Sequence, residues 1–245
     1  MHKSWVLITL ALFFAGSALA EEGDVALLQS GTDIKSTDSL QRGARNFMNY
    51  CSGCHSLKFV RFNRLGQDLK IPESELANLM FTSDKPFDTI NSAMPKDSEA
   101  WFGKQPPDLS LIARAKGADY VYSFLKGFYV DKTRPWGVNN LYLPSAAMPH
   151  VLQTLQGLQK PVFKNELDDN HSARMVLVGV ESMTPGALKP EEYDQFVRDI
   201  ANFLDYAGEP IKDKRQSMGV FVTLFLLVFF VFAYLLKKEY WKDVH

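Results

Sequence analysis

Cys51-Ser52-Gly53-Cys54-His55 constrains this chain more than any other feature, because it holds the only two cysteines among 245 residues. C-x-x-C-H reads as a covalent c-type haem attachment site. Two thiols three positions apart on one turn of backbone can each add across a vinyl group on the same porphyrin edge. The adjacent imidazole then lies under the iron as its proximal ligand. With no further cysteine, neither a disulfide framework nor a second thiolate site competes for the pair. A thioredoxin-like redox pair needs a strand leading into the helix, and the residues before Cys51 read as helix. Half of a zinc site needs two more ligands at matching spacing, and His2, His150, His171 and His245 contain no such pair.

Both ends of the chain speak of membranes. His2 and Lys3 precede an apolar run from Trp5 to Phe14, and Ala18-Leu19-Ala20 closes it. That is the pattern of a secretory signal peptide over residues 1–20, with Glu21 as the first mature residue. The run is too short to be a retained span. Near the other end, Ser217 to Leu236 carries no charge. Twenty residues at ~1.5 Å rise reach ~30 Å, the thickness of a bilayer's hydrocarbon core. Tyr240 and Trp241 follow, where aromatic rings favour the interface. Lysines and arginines flank both sides, so charge alone does not orient the span. Export of the preceding domain does, leaving 237–245 in the cytoplasm. The expected order is signal peptide 1–20, exported haem domain 21–210, juxtamembrane linker 211–216, transmembrane helix 217–236 and tail 237–245.

Residues 21–210 suffice for one sizeable core. Charge is nearly balanced, a net of −1 for the whole chain, and no basic stripe supports nucleic-acid binding. Apolar periodicity predicts helices over Ser39–Tyr50, Pro72–Phe81, Ala118–Phe128 and Pro190–Tyr206. Asp38 or Ser39 is expected to cap the first. The last opens on Pro190-Glu191-Glu192 and stops at Gly208 and Pro210. Pro161–Lys164 and Met175–Val180 predict two short strands around an Asp168-Asp169-Asn170 turn. The fold class expected is mainly α: a class I cytochrome c-like haem domain with inserted loops and a short hairpin, plus one C-terminal transmembrane helix.

With His55 alone on the iron, such a haem could act as an open-site enzyme or gas sensor; a second protein ligand makes it an electron carrier. Methionine is the usual partner and raises the potential. Met94-Pro95, Met148-Pro149 and Met183-Thr184-Pro185 are the serious candidates, with Met80 and Met175 assigned to the core. Position before the last helix favours Met183; the Pro that follows holds an extended loop and favours Met94 and Met148. Local physics leaves the three open.

Several motifs in order resemble one family. They are residues 39–45 leading into Asn49–Leu57, then Arg61–Leu65, Pro106–Ala115, Asp119–Val121, Met148–Leu152 with Leu155–Gly157, Asn202–Pro210 and Arg215–Gly219. Together they resemble the cytochrome c1 family, haem subunits of ubiquinol–cytochrome c reductase (complex III), in its proteobacterial form. The resemblance implies one covalent haem c on Cys51, Cys54 and His55, with Met148 as distal ligand. It implies that Arg114 pairs with a propionate, as a guanidinium forks onto a carboxylate, and that Pro107 and Tyr120 lie in the haem environment. It also implies partners: cytochrome b, the Rieske iron–sulfur protein as donor, a soluble or tethered cytochrome c as acceptor, and inner-membrane lipid, within a dimeric complex. The haem domain is then expected in the periplasm of a bacterial inner membrane, and no acid–base residue is required. Acidic residues around Asp68 to Asp108 could guide a basic partner. The alternative is a membrane cytochrome of another respiratory oxidoreductase. Residues 159–182 form a longer stretch than mitochondrial relatives have, and the extra cysteine pair of some bacterial members is missing.

Overall fold

In the computed structural model, which describes residues 25–167 and 173–242, two helices far apart in the sequence cross and form the spine of the fold. Helix α1 spans Thr37–Tyr50 and the long helix near the end of the domain, α8, spans Pro190–Gly208. Between them lie short elements: β1 (Leu57–Arg61), α2 (Phe62–Leu69), α3 (Glu73–Ala77), β2 (Thr89–Ile90), α4 (Glu99–Phe102), α5 (Ile112–Lys116), α6 (Ala118–Lys126), β3 (Phe128–Val130), β4 (Val138–Asn140), α7 (Gln153–Gln156), β5 (Gly157–Leu167) and β6 (Ala173–Pro185). The strands pair as three separate antiparallel ribbons, β1 with β2, β3 with β4, and β5 with β6. The mainly α class with one candidate transmembrane helix is borne out.

Helix α1 buries Leu40, Ala44, Phe47 and Met48, the i, i+4, i+7, i+8 stripe of an amphipathic helix. These meet Val197, Ile200, Phe203 and Leu204 of α8, all nearly inaccessible, and the Phe47 and Phe203 rings lie 5.7 Å apart. Gly43 sits at the crossing. A Cβ there would stand 2.0 Å from the Asp199 carbonyl oxygen, so only glycine admits this approach. Beside it the Asp199 carboxylate, 2 % exposed, accepts from Ser39 Oγ at 2.7 Å, Arg42 Nε at 2.7 Å and Gln195 Nε2 at 2.8 Å. Asn202 Nδ2 donates to Ser39 Oγ and to the Asp33 carbonyl. A charge so buried is tolerated because it is paired and its lone pairs are filled.

Several sequence expectations shift at their edges. Helix α1 begins at Thr37, and its N-cap Ser36 makes no side-chain capping bond; Ser39 points inward to Asp199 instead of capping. Helix α6 ends at Lys126 rather than Phe128, because Gly127 closes it and Phe128 turns into strand β3. Only Glu73–Ala77 of the expected 72–81 helix is helical, followed by single turns at Leu79 and Met80. The hairpin exists but is far longer than expected, with pairing from Gly157↔Pro185 to Leu167↔Ala173 and two register shifts along it. Its expected Asp168–Asn170 turn lies outside the described residues, as do signal peptide 1–20, Glu21 and the tail beyond Lys242.

The final helix, α9, spans Lys212–Tyr240, and all of its apolar side chains between Val220 and Leu236 are exposed. Residues 212–216 of the expected linker are therefore its first turn. Ion pairs tie that turn to the domain: Lys212 to Asp205 at 2.7 Å, Lys35 to Asp213 at 3.0 Å, and Arg215 to Glu209.

Gly43→Ala should cost at least about 2 kcal/mol through over-packing against α8 backbone. Chemical denaturation of the purified variant measures this; an unchanged midpoint would show that the helices separate freely.

Candidate functional site

The end of α1 continues without a break into the C-x-x-C-H turn. Cys51 N–H donates to the Phe47 carbonyl at 2.8 Å, and the N–H groups of Cys54 and His55 both donate to the Cys51 carbonyl, at 3.0 and 2.8 Å. This turn brings Cys51, Cys54 and His55 to one wall of a cavity of about 240 Å³. Helix α6 adds Tyr120, Val121, Phe124 and Leu125, α8 adds Ile200 and Leu204, and Met148 enters from the loop between β4 and α7. The lining is overwhelmingly apolar, as a macrocycle needs. Cys51 and Cys54 are both free thiols.

His55 is oriented by backbone. Its Nδ1–H donates to the Pro107 carbonyl at 2.7 Å, which leaves the other nitrogen of the neutral ring, Nε2, unprotonated. Pro107 is in turn held by a zipper between residues 56–59 and 108–110. Leu109 N–H donates to the Ser56 carbonyl at 2.9 Å, and Lys58 N–H to the Asp108 carboxylate at 2.9 Å. Phe59 N–H donates to Ser110 Oγ at 3.2 Å. Burial holds the imidazole below its ordinary pKa, with Pro107 and Asp108 opposing. The same desolvation pushes the Cys51 thiol up to about 12 and raises Cys54. These residues fit a covalently held haem: two thiols and an iron-ready imidazole on one turn, a thioether in the same cavity, and an apolar lining. Among the described residues no three His, Cys, Asp or Glu side chains cluster as a bare metal site.

Of the residues expected at the site, Cys51, Cys54, His55, Pro107, Tyr120 and Met148 all line this cavity. Arg114 does not. It is exposed on α5, packed beside Gly208 and close enough to Glu209 to help hold that carboxyl below its usual range, Arg215 contributing most. Met94 and Met183 are also absent from the lining; Met183 lies exposed on β6. Met175, expected in the core, is 69 % exposed on the same strand. His150 stacks on Phe128 instead of lining the cavity, and burial pushes its pKa down to about 4. Sequence reasoning missed Phe102, which lines the cavity and packs 5.3 Å from the exposed Trp136. The only signal was two aromatics, Trp101-Phe102, in a polar stretch.

Residues 32–244 match the model of the Cytochrome C1 family. The chain is 49 % identical over 245 residues to Cytochrome c1 of Allochromatium vinosum, covering 99 % of this chain and 100 % of that one. It is 43 % identical over 242 residues to a Nitrosomonas europaea protein named Ammonia monooxygenase gamma subunit, covering 97 % and 96 %. It is 30 % identical over 284 residues to Cytochrome c1 of Rhodospirillum rubrum, covering 100 % and 98 %.

The thiols give a test that precedes any cofactor. At pH 8 a thiol with a pKa of about 12 is thiolate in roughly one molecule in ten thousand. In folded chain lacking haem, Cys54 should therefore be alkylated first and Cys51 only on unfolding, as peptide mass mapping would record. Equal rates would mean that the wall around Cys51 opens.

Proposed function

The chain belongs to the cytochrome c1 family, and from that premise we propose how its residues perform the work of a complex III haem subunit. It is a membrane-anchored electron carrier of ubiquinol–cytochrome c reductase, bears one covalently attached haem c, and works in a complex with cytochrome b. In our reading, Cys51 and Cys54 form the thioethers, His55 Nε2 is the proximal ligand and Met148 sulfur the distal one. The observation that carries this is the shared cavity of Cys51, Cys54, His55 and Met148, with the His55 Nδ1 proton already engaged by Pro107.

When bound, the haem supplies a one-electron Fe(II)/Fe(III) couple. The residues do the rest. Pro107 fixes the ring orientation of His55 and raises its basicity. Met148 would supply its thioether sulfur to the iron, and that soft ligand would favour the reduced state. Val121, Phe124, Ile200 and Leu204 exclude water, which limits the reorganisation that accompanies a change of charge. Tyr120 belongs to the same wall, with a phenol raised by burial. Arg114, exposed on α5 and outside the apolar lining, is retained in this reading as the residue that would pair with a haem propionate.

The electron source in this reading is the Rieske iron–sulfur protein and the acceptor a cytochrome c, in a dimeric complex. The haem domain faces the periplasm and the tail the cytoplasm, because export ahead of a stop-transfer helix leaves no other arrangement.

Ferric spectra test the ligands. Met148→Ala should abolish the long-wavelength sulfur-to-iron charge-transfer band and open the ferrous haem to carbon monoxide, whereas Met94→Leu and Met183→Leu should leave both unchanged. The reverse pattern would transfer the assignment. For the partners and topology, a C-terminal affinity tag should recover cytochrome b and a Rieske protein with quinol-driven cytochrome c reduction. Protease should reach that tag only in inverted vesicles; cleavage in intact spheroplasts would reverse the orientation.

A further inference from the structure

The loop that presents Met148 is fastened at its start by two asparagines. Asn140, fully buried, accepts from the N–H groups of Tyr142 and Leu143 through Oδ1, at 2.9 and 3.2 Å, and donates to the Phe124 carbonyl at 2.8 Å. Asn139 Oδ1 accepts from Ser145 N–H at 2.8 Å. Past Ala146 the fastening changes. Among the described residues, no hydrogen bond is donated by the N–H of Ala147, Met148 or His150, and Pro149 has none to give. Backbone bonding resumes at Val151.

What bridges this gap is the His150 side chain. Its ring lies on Phe128 with centroids 4.7 Å apart and planes within 6°. Phe128 is a fixed platform, 1 % exposed and paired with Asn140 in the β3–β4 ribbon. It packs edge-on against Phe124 at 5.2 Å, and Phe124 lines the cavity. His150 Nε2 is buried without a hydrogen-bond partner, so the ring is held by its stack and not by that nitrogen.

We propose that His150 is a positioning residue for the Met148 thioether: stacked on Phe128, it pins against the cavity a Met148–Pro149 segment that donates no backbone hydrogen bond among the described residues. The inference rests on Met148 as distal ligand. A ring two residues away along the chain then sets how firmly that sulfur stays on the iron, without touching the iron itself. A thioether is a weak, neutral ligand, so its occupancy depends on how little freedom its loop has.

The test uses the full chain, purified with its haem, as wild type and as His150→Ala, His150→Phe, Phe128→Leu and Met148→Ala. His150→Ala should retain covalent haem in wild-type amount yet lose most of the ferric charge-transfer band, lower the reduction potential, and let the ferrous form bind carbon monoxide. His150→Phe, which keeps the stacked ring, should retain more of the band than His150→Ala. If His150→Ala does not accumulate, Phe128→Leu carries the same expectation, because it removes the stacking platform. A lower melting temperature with the band, potential and carbon monoxide inertness intact would overturn the proposal and leave His150 a packing residue. Retention of the band in Met148→Ala would overturn the ligand assignment and this inference with it, and is recognisable because it does not depend on His150.

Discussion

Helix α1 lies directly on the backbone of α8 because Gly43 has no Cβ to strike the Asp199 carbonyl. This approach determines where the haem site can be. Residues Cys51 to His55 are the continuation of α1, while Ile200 and Leu204 follow Asp199 at the crossing in α8. Were the helices held apart by a methyl group, the cysteine turn and the apolar floor would no longer share one cavity. The polar lock beside the glycine serves the same geometry. Asp199 would be costly to bury alone, but Ser39, Arg42 and Gln195 fill its lone pairs and make the crossing specific in register.

The site itself joins a reactive motif to an unreactive setting. Desolvation raises both thiols and lowers the imidazole, so each side chain is biased toward its neutral form. A neutral imidazole with its Nδ1 proton on a carbonyl is the form that binds iron. Apolar walls then suit a large flat cofactor and keep water from the metal. The weak point of such a design is the thioether, which brings no charge to hold it in place. Its loop is therefore secured by side chains: two asparagines before it and a stacked imidazole after it.

Much of this was legible in the residues, for reasons that differ by element. The helices over 37–50 and 190–208 were readable within two residues because long amphipathic stripes report their own burial. The 118–126 helix was over-extended, since Phe128 continues the apolar rhythm and only Gly127 marks the change to strand. Three-residue strands such as Val138–Asn140 carry too little pattern to see. The β5–β6 ribbon was recognised only at its centre, because its outer parts hold Pro185 and polar residues such as Gln159, Glu166 and Ser182, whose pairing comes from the partner strand. Among site residues, the cysteine motif was plain because covalent chemistry imposes its spacing. Pro107 works through a carbonyl that every residue has, so its partnership with His55 left no mark in the choice of side chain.

By itself, the sequence determined the cofactor chemistry, the two principal helices and the apolar final span, all of which follow from spacing along one short stretch of chain. Which methionine meets the cavity, which carbonyl turns His55, and what holds the loop at Met148 were decided only in three dimensions. Each depends on groups brought together from distant parts of the chain: Pro107 lies 52 residues from His55, and Met148 reaches the cavity through a ribbon and two asparagines. Such contacts depend on packing between elements, and no local periodicity encodes them.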